Sequence, residues 1–180
     1  MSYANRGMAF EQLLDYTNML YEQKGIAIIN KRPTPIKVTS TRNGRIQGFF
    51  EKPSTVDYDG TFKGRSIVFE AKSVGQNRFP LKNLHDHQAE YLLKCHRLGA
   101  ISFLLVEFTK QRTIYLMPAA TLEYFWNRKQ KGGKGTQSIP IDEFDIHAYE
   151  VSKGRVPIDY LEVVRKVWKI DVMNKAVDNL

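Results

Sequence analysis

The chain has 180 residues, a length that suits one domain carrying a projecting insertion and a core that needs no staple. Its 27 Lys and Arg against 19 Asp and Glu leave a net charge of +8, which favours a polyanionic partner and says nothing about fold. A single cysteine, Cys95, excludes an internal disulfide framework and a multi-cysteine zinc site and fits a reducing cytoplasm; no apolar run is long enough to span a membrane, and residues 1–6 lack the apolar stretch of a signal peptide.

In chain order, a helix is expected over residues 6–24. Phe10, Leu13, Leu14, Thr17, Leu20 and Tyr21 recur there at helical spacing, and Gly25 supplies a stop. Residues 26–30 read as a short buried strand, and Pro33-Thr34-Pro35 breaks regular structure. Residues 36–38 and 46–50, with Asn43-Gly44 between them, predict a hairpin arm. Further strands are expected at 66–72, 100–108 and 113–117, and helices at 84–98, 119–129 and 157–167, with Pro157 in the first turn of the last. Interleaved helices and strands predict an α/β domain, a mixed sheet with helices packed on it. No repeat and no long linker interrupts it.

The charge is concentrated. Between Lys24 and Val56 stand seven basic residues, Lys24, Lys31, Arg32, Lys37, Arg42, Arg45 and Lys52, opposed by Glu51 alone. An unmixed basic segment is the footprint of phosphate contacts, against the plainer reading of a basic solvated loop. A second basic run, residues 128–134, is glycine-rich and reads as a loop.

The stretch with chemical content is Thr55-Val56-Asp57-Tyr58-Asp59-Gly60, followed by Phe69-Glu70-Ala71-Lys72. On a strand, Ile67, Phe69 and Ala71 share an apolar face, while Val68, Glu70 and Lys72 share the other. Asp57 lies near a turn where a neighbouring strand folds back. Two carboxylates meeting across adjacent strands form a hard-oxygen site suited to Mg²⁺, and the lysine beside them serves a water or a phosphate. Glu-x-Lys alone is equally a solvated face, so support is needed. Gln88 provides it, standing on an apolar stripe with Leu84, Tyr91, Leu92 and Cys95. Its amide either bonds a nearby backbone group or lends its oxygen to the metal. Glu11 is a further candidate, or a solvated helix carboxylate.

Other constellations are weaker. His85 and His87, two apart on a helix, point about 200° apart and do not share a metal. They read as helix-start polarity or a DNA contact. Cys95 reads as core. No phosphate-binding loop motif occurs, so nucleotide-driven chemistry has no support.

Asp57, Glu70 and Lys72 match the signature of the restriction-endonuclease-like nucleases. More narrowly, the chain resembles the RecU family of Holliday junction resolvases from Tyr3 to about Trp168. The marks are Lys31-Arg32-Pro33-Thr34-Pro35, the two stretches quoted above, Phe79-Pro80-Leu81, His85-Asp86-His87-Gln88 and Phe125-Trp126-Asn127-Arg128-Lys129. The resemblance implies a restriction-endonuclease-like mixed sheet flanked by helices, with a basic hairpin stalk inserted at about 36–50 of a single domain spanning 1–180. It implies metal positions at Thr55, Asp57, Glu70 and Gln88, an active-site lysine at Lys72, and catalysis by Asp57, Glu70 and Lys72 with Mg²⁺, or Mn²⁺ in its place. It implies a homodimer acting on four-way DNA junctions in the cytoplasm (the host's, for a phage copy) alongside recombinase and branch-migration proteins. DNA contacts are expected from Lys31, Arg32, Lys37, Arg42, Arg45 and Lys52, with Arg42 and Arg45 both eligible for the stalk arginine that acts at the junction. The matching region begins at Tyr3, without the basic N-terminal extension of cellular members, and the stalk is shorter than usual. The rival readings are a restriction or repair nuclease of the same superfamily and a non-catalytic DNA-binding module.

Overall fold

The computed structural model describes residues 3–51 and 55–170. The chain opens with helix α1 (Tyr3–Gln23) and strand β1 (Ala27–Lys31), then a hairpin of β2 (Ile36–Arg42) and β3 (Arg45–Phe50). Strands β4 (Tyr58–Phe62), β5 (Arg65–Val74) and β6 (Arg78–Pro80) follow, with a 3₁₀ turn at Leu81–Asn83 leading into helix α2 (Asp86–Arg97). Next come β7 (Ile101–Phe108), β8 (Thr113–Pro118), α3 (Ala119–Lys131), β9 (Ser138–Pro140), α4 (Ile141–His147), β10 (Tyr149–Glu150) and α5 (Tyr160–Val167).

Six strands form one mixed sheet in the order β1-β4-β5-β7-β8-β10. Only β5 and β7 run parallel within it, Ile67 opposite Ile101 through Val74 opposite Phe108. Parallel neighbours need a crossover, and the segment containing α2 supplies it. Both central strands are covered on two sides; β7 is apolar on both faces for most of its length, while β5 interrupts one apolar face with Glu70 and Lys72. Ile67, Phe69 and Ala71 of β5 join Ile101, Phe103 and Leu105 of β7 in a core under α1 and α5. Val68 and Val74 join Leu104, Val106 and Phe108 in a second core with α2, α3 and α4. Tyr58, Phe69 and Phe103 stack across three adjacent strands, at centroid distances of 4.7 and 4.9 Å. This is the mixed sheet flanked by helices that the resemblance implies. No helix among the described residues is long and apolar enough to cross a membrane.

The β2–β3 hairpin forms its own two-stranded sheet, and every residue of both strands is exposed. Asn43 and Gly44 close it with φ of 50° and 72°, the two positive angles that a type I′ turn requires. The paired strands are longer than the expected 36–38 and 46–50, because the ladder runs to Arg42 opposite Arg45.

Two expectations are corrected. The last helix starts at Tyr160, not at Pro157. The carboxylate of Asp159 accepts the Arg155 N–H at 2.9 Å, the Arg155 Nε at 3.0 Å and the Tyr21 hydroxyl at 2.9 Å, which holds the preceding residues in a turn. His85 is also not helical. It precedes α2 with extended backbone, φ −70° and ψ 151°, so the 200° argument does not apply, and its ring stacks on His87 at 5.5 Å. The strand expected to fold back near Asp57 is β4, while β6, β9, β10 and helix α4 carry no sequence expectation of their own.

Candidate active site

β4 and β5 pair antiparallel, Tyr58 opposite Phe69, so Asp57 arrives beside Glu70 at the end of the ladder. Hydrogen bonds then run both ways between the two segments. The Asp57 main-chain N–H donates to Glu70 Oε2 at 3.0 Å, and Asp57 Oδ2 accepts the Ala71 N–H at 3.1 Å. On the other side of β4, β1 approaches so closely that Gly60 has no room for a side chain, since a Cβ there would overlap the Ile28 carbonyl. Lys72, two residues along from Glu70 on the same strand face, places Nζ 2.5 Å from Glu70 Oε1. Glu70 is fully buried. Burial is the main reason its carboxyl is pushed up to about 8; Lys72 opposes the rise and Asp57 adds to it.

From the other side comes Gln88, near the start of α2 and itself buried. Its Nε2 donates to Glu70 Oε1 at 2.6 Å, while its Oε1 accepts the His85 N–H at 3.1 Å. The stripe argument placed Gln88 correctly. The helix begins only at Asp86, however, so Leu84 belongs to the preceding turn. The amide also has the opposite sense to the one expected for a ligand. Its oxygen satisfies an N-terminal N–H of α2 and its nitrogen faces the carboxylate. In this arrangement Gln88 orients Glu70.

Thr55 lies two residues before Asp57, and its Oγ1 is buried with no hydrogen-bond partner among the described residues. A buried, orphaned hydroxyl two residues from Asp57 and the paired carboxylates of Asp57 and Glu70 are hard oxygen donors, and these residue types fit a small divalent cation. No group of three or more His, Cys, Asp or Glu that could hold a metal exists among the described residues, so any such site rests on Asp57, Glu70 and neutral oxygens.

The remaining candidates are dispersed. Lys31 turns to α1, 2.7 Å from Glu11 and 3.5 Å from Asp15, so Glu11 is paired with Lys31. Arg32 turns toward α2 and bonds Tyr91 at 2.9 Å. Lys37, Arg42 and Arg45 are on the exposed hairpin. Lys52 lies outside the described residues. Cys95 is partly buried against the second core. Sequence reasoning missed Tyr91 and Asp59 as partners of Arg32; the available signal was Tyr91 three residues after Gln88 on one helix face.

The profile of the family described as Recombination protein U (RecU) matches residues 5–166. A Holliday junction resolvase RecU of Geobacillus sp. (strain WCH70) is 38% identical over 175 residues, covering 93% of this chain and 86% of that protein. The protein of the same description from Bacillus subtilis (strain 168) is 38% identical, with 93% and 83% covered. Among solved structures, Archaeoglobus fulgidus Hjc, a Holliday junction resolvase, aligns with TM-score 0.47 and 14% identity, covering 78% of this chain and 93% of that one. The chain belongs to the RecU family.

Proposed function

We propose that this protein is a divalent-metal-dependent DNA endonuclease that resolves four-way junctions by paired cuts on opposing strands. The observation that carries the reading is the convergence of Asp57, Glu70 and Lys72 at one strand end, with Gln88 2.6 Å from Glu70. The relatives' description as Holliday junction resolvases supports the choice of substrate.

Asp57 and Glu70 would hold Mg²⁺, or Mn²⁺ in its place, with the Thr55 hydroxyl as a third oxygen. Such an ion, when bound, polarises the scissile phosphate and lowers the pKa of a water. The chain's own contributions are separable. Lys72 sets a positive charge next to Glu70, aimed where negative charge grows on the phosphate. Gln88 fixes the carboxylate of Glu70, whose burial keeps bulk water away from it. The expected products carry 5′-phosphate and 3′-hydroxyl ends.

Substrate choice is assigned to the hairpin. Arg42 and Arg45 are directly opposite one another at its tip. Like charges in that relation oppose each other, a cost that an anion between them removes. Lys37 and Lys52 add phosphate attraction, as does Arg32, while Lys31 does so only when released from Glu11 and Asp15. A two-fold homodimer presents two equal sites to a near-two-fold junction, which accounts for paired cuts. The expected setting is the DNA of the cytoplasm, with recombinase and branch-migration proteins.

The test is cleavage of a labelled mobile junction across a Mg²⁺ titration. Cutting that needs the metal and disappears in Asp57→Asn, with junction binding kept, supports the assignment. Cutting by Asp57→Asn at the wild-type rate refutes it.

A further inference from the structure

Two cations leave the end of β1 in opposite directions. Lys31 is neutralised by α1. Arg32 is held beside the Asp57–Glu70–Lys72 cluster by its own main chain, whose N–H donates to the Asp57 carbonyl at 2.8 Å. Its side chain is gripped from two sides. Nη1 donates to the Tyr91 hydroxyl at 2.9 Å, and Nε lies 3.4 Å from Asp59 Oδ2. The guanidinium carbon is 5.5 Å from the centre of the Tyr91 ring. Tyr91 follows Gln88 by three residues, so the helix face that brings Gln88 to Glu70 also brings Tyr91 to Arg32.

A phenol has one proton to donate and lone pairs to accept with. The Tyr91 oxygen offers such a lone pair to the guanidinium, accepting from Nη1 of Arg32. A third of the Arg32 side chain is open to solvent. A guanidinium has five N–H donors in a rigid fork and binds phosphate in a bidentate manner. One that is already oriented loses less rotamer freedom on binding than a loose surface arginine does.

We propose that Tyr91 is a positioning residue for Arg32, holding its guanidinium as a preformed contact for a DNA phosphate next to the Asp57–Glu70–Lys72 cluster. Asp59 limits the swing of the fork without using all its donors. This assignment rests on the DNA-cleaving reading above, and its test separates the two.

Metal-free binding of a fluorescent four-way junction and of linear duplex is measured for the wild type, Tyr91→Phe, Arg32→Ala, the double variant and Tyr91→His. Cleavage rates in Mg²⁺ and thermal unfolding are followed for the same five proteins. Tyr91→Phe keeps the ring and loses only the hydroxyl. It should weaken metal-free binding roughly three- to tenfold and add nothing in the Arg32→Ala background, the mark of two residues acting as one. Tyr91→His, which keeps a ring and an acceptor, should regain most of the loss, and it serves as the test should Tyr91→Phe unfold early. Losses that multiply in the double variant, a Tyr91→Phe protein that binds and cuts as the wild type does, or no recovery in Tyr91→His would each overturn the assignment. A wild type that binds DNA but never cuts junctions overturns the nuclease reading and leaves Tyr91 to be judged by the binding cycle. A wild type that binds no DNA overturns both.

Discussion

Nε2 of Gln88 lies 2.6 Å from Oε1 of Glu70 while Oε1 of the same amide accepts the His85 N–H at 3.1 Å. One side chain thus closes the first turn of α2 and steadies a buried carboxylate. Gln88→Ala should cost about 1–3 kcal/mol of stability by leaving both partners short of a bond. It should also shift the Mg²⁺ dependence of cleavage and lower the rate less than Lys72→Ala does. Lys72→Ala removes an aimed charge and should cost roughly 2–4 kcal/mol of transition-state stabilisation. Thermal unfolding and single-turnover rates across Mg²⁺ concentrations check both; an unchanged Gln88→Ala profile would return Gln88 to a purely structural role.

Burial pushes the Glu70 carboxyl up to about 8 from an ordinary value of 4.5. Between those values the folded protein holds a proton that the unfolded chain releases, so stability falls as pH rises. The contribution is fully present below about 4.5 and lost on passing about 8. In metal-free protein the fall should be on the order of a few kcal/mol, and Glu70→Gln should flatten it. Denaturant midpoints from pH 5 to 8.5, with chelator present, measure it. A wild type as flat as Glu70→Gln would contradict the raised Glu70 carboxyl.

Elsewhere in the fold, Asp159 joins α1 to the start of α5. Burial raises its carboxyl, but the Arg155 side chain and N–H and the Tyr21 hydroxyl outweigh that and hold it below the usual carboxylate range. Here the sign reverses. The contribution is present above the unfolded value of 3.8 and is lost as pH falls through the lower folded one. Asp159→Asn should cost about 1–3 kcal/mol at neutral pH and blunt the acid limb of the stability curve. Loss of stability equal at pH 7 and pH 3 would show that its charge plays no part.

Much of this was legible in the chain, for identifiable reasons. Asn43-Gly44 announces its hairpin because only such residues take two positive φ angles cheaply. Alternation along β5 placed Glu70 and Lys72 on one face, and the apolar neighbours of Gln88 marked it as buried. What stayed hidden depends on tertiary partners. The sense of the Gln88 amide is set by an N–H of His85 that exists only once α2 starts at Asp86. The late start of α5 follows from a carboxylate held by Arg155 and by Tyr21 of α1, 138 positions away. The division of labour between Lys31 and Arg32 follows from the pairing of β1 with β4, which sends neighbouring side chains to opposite faces. Strands as short as Tyr149–Glu150 carry no periodicity to read.

Arg42 and Arg45 form the last cross-strand pair of an exposed hairpin. Arg42→Ala should relieve the like-charge pair and leave the hairpin no less stable, by roughly 0.2–1 kcal/mol in its favour. The same change should reduce preference for a four-way junction over linear duplex. The double variant Arg42→Ala, Arg45→Ala should reduce it more, while affinity for duplex changes little beyond the loss of salt dependence. Competition of labelled junction against excess duplex at fixed salt measures this; a double variant with undiminished preference would move selectivity away from the tip.

The most direct test of the central claim is a strand-resolved cleavage assay. A mobile four-way junction and a linear duplex of the same sequence, each strand labelled separately, are incubated with wild type and with Asp57→Asn in Mg²⁺. The account predicts paired cuts at matching positions on two opposing strands of the junction, little cutting of the duplex, and none by Asp57→Asn despite retained junction binding. Equal cutting of junction and duplex, or wild-type cutting by Asp57→Asn, would contradict it.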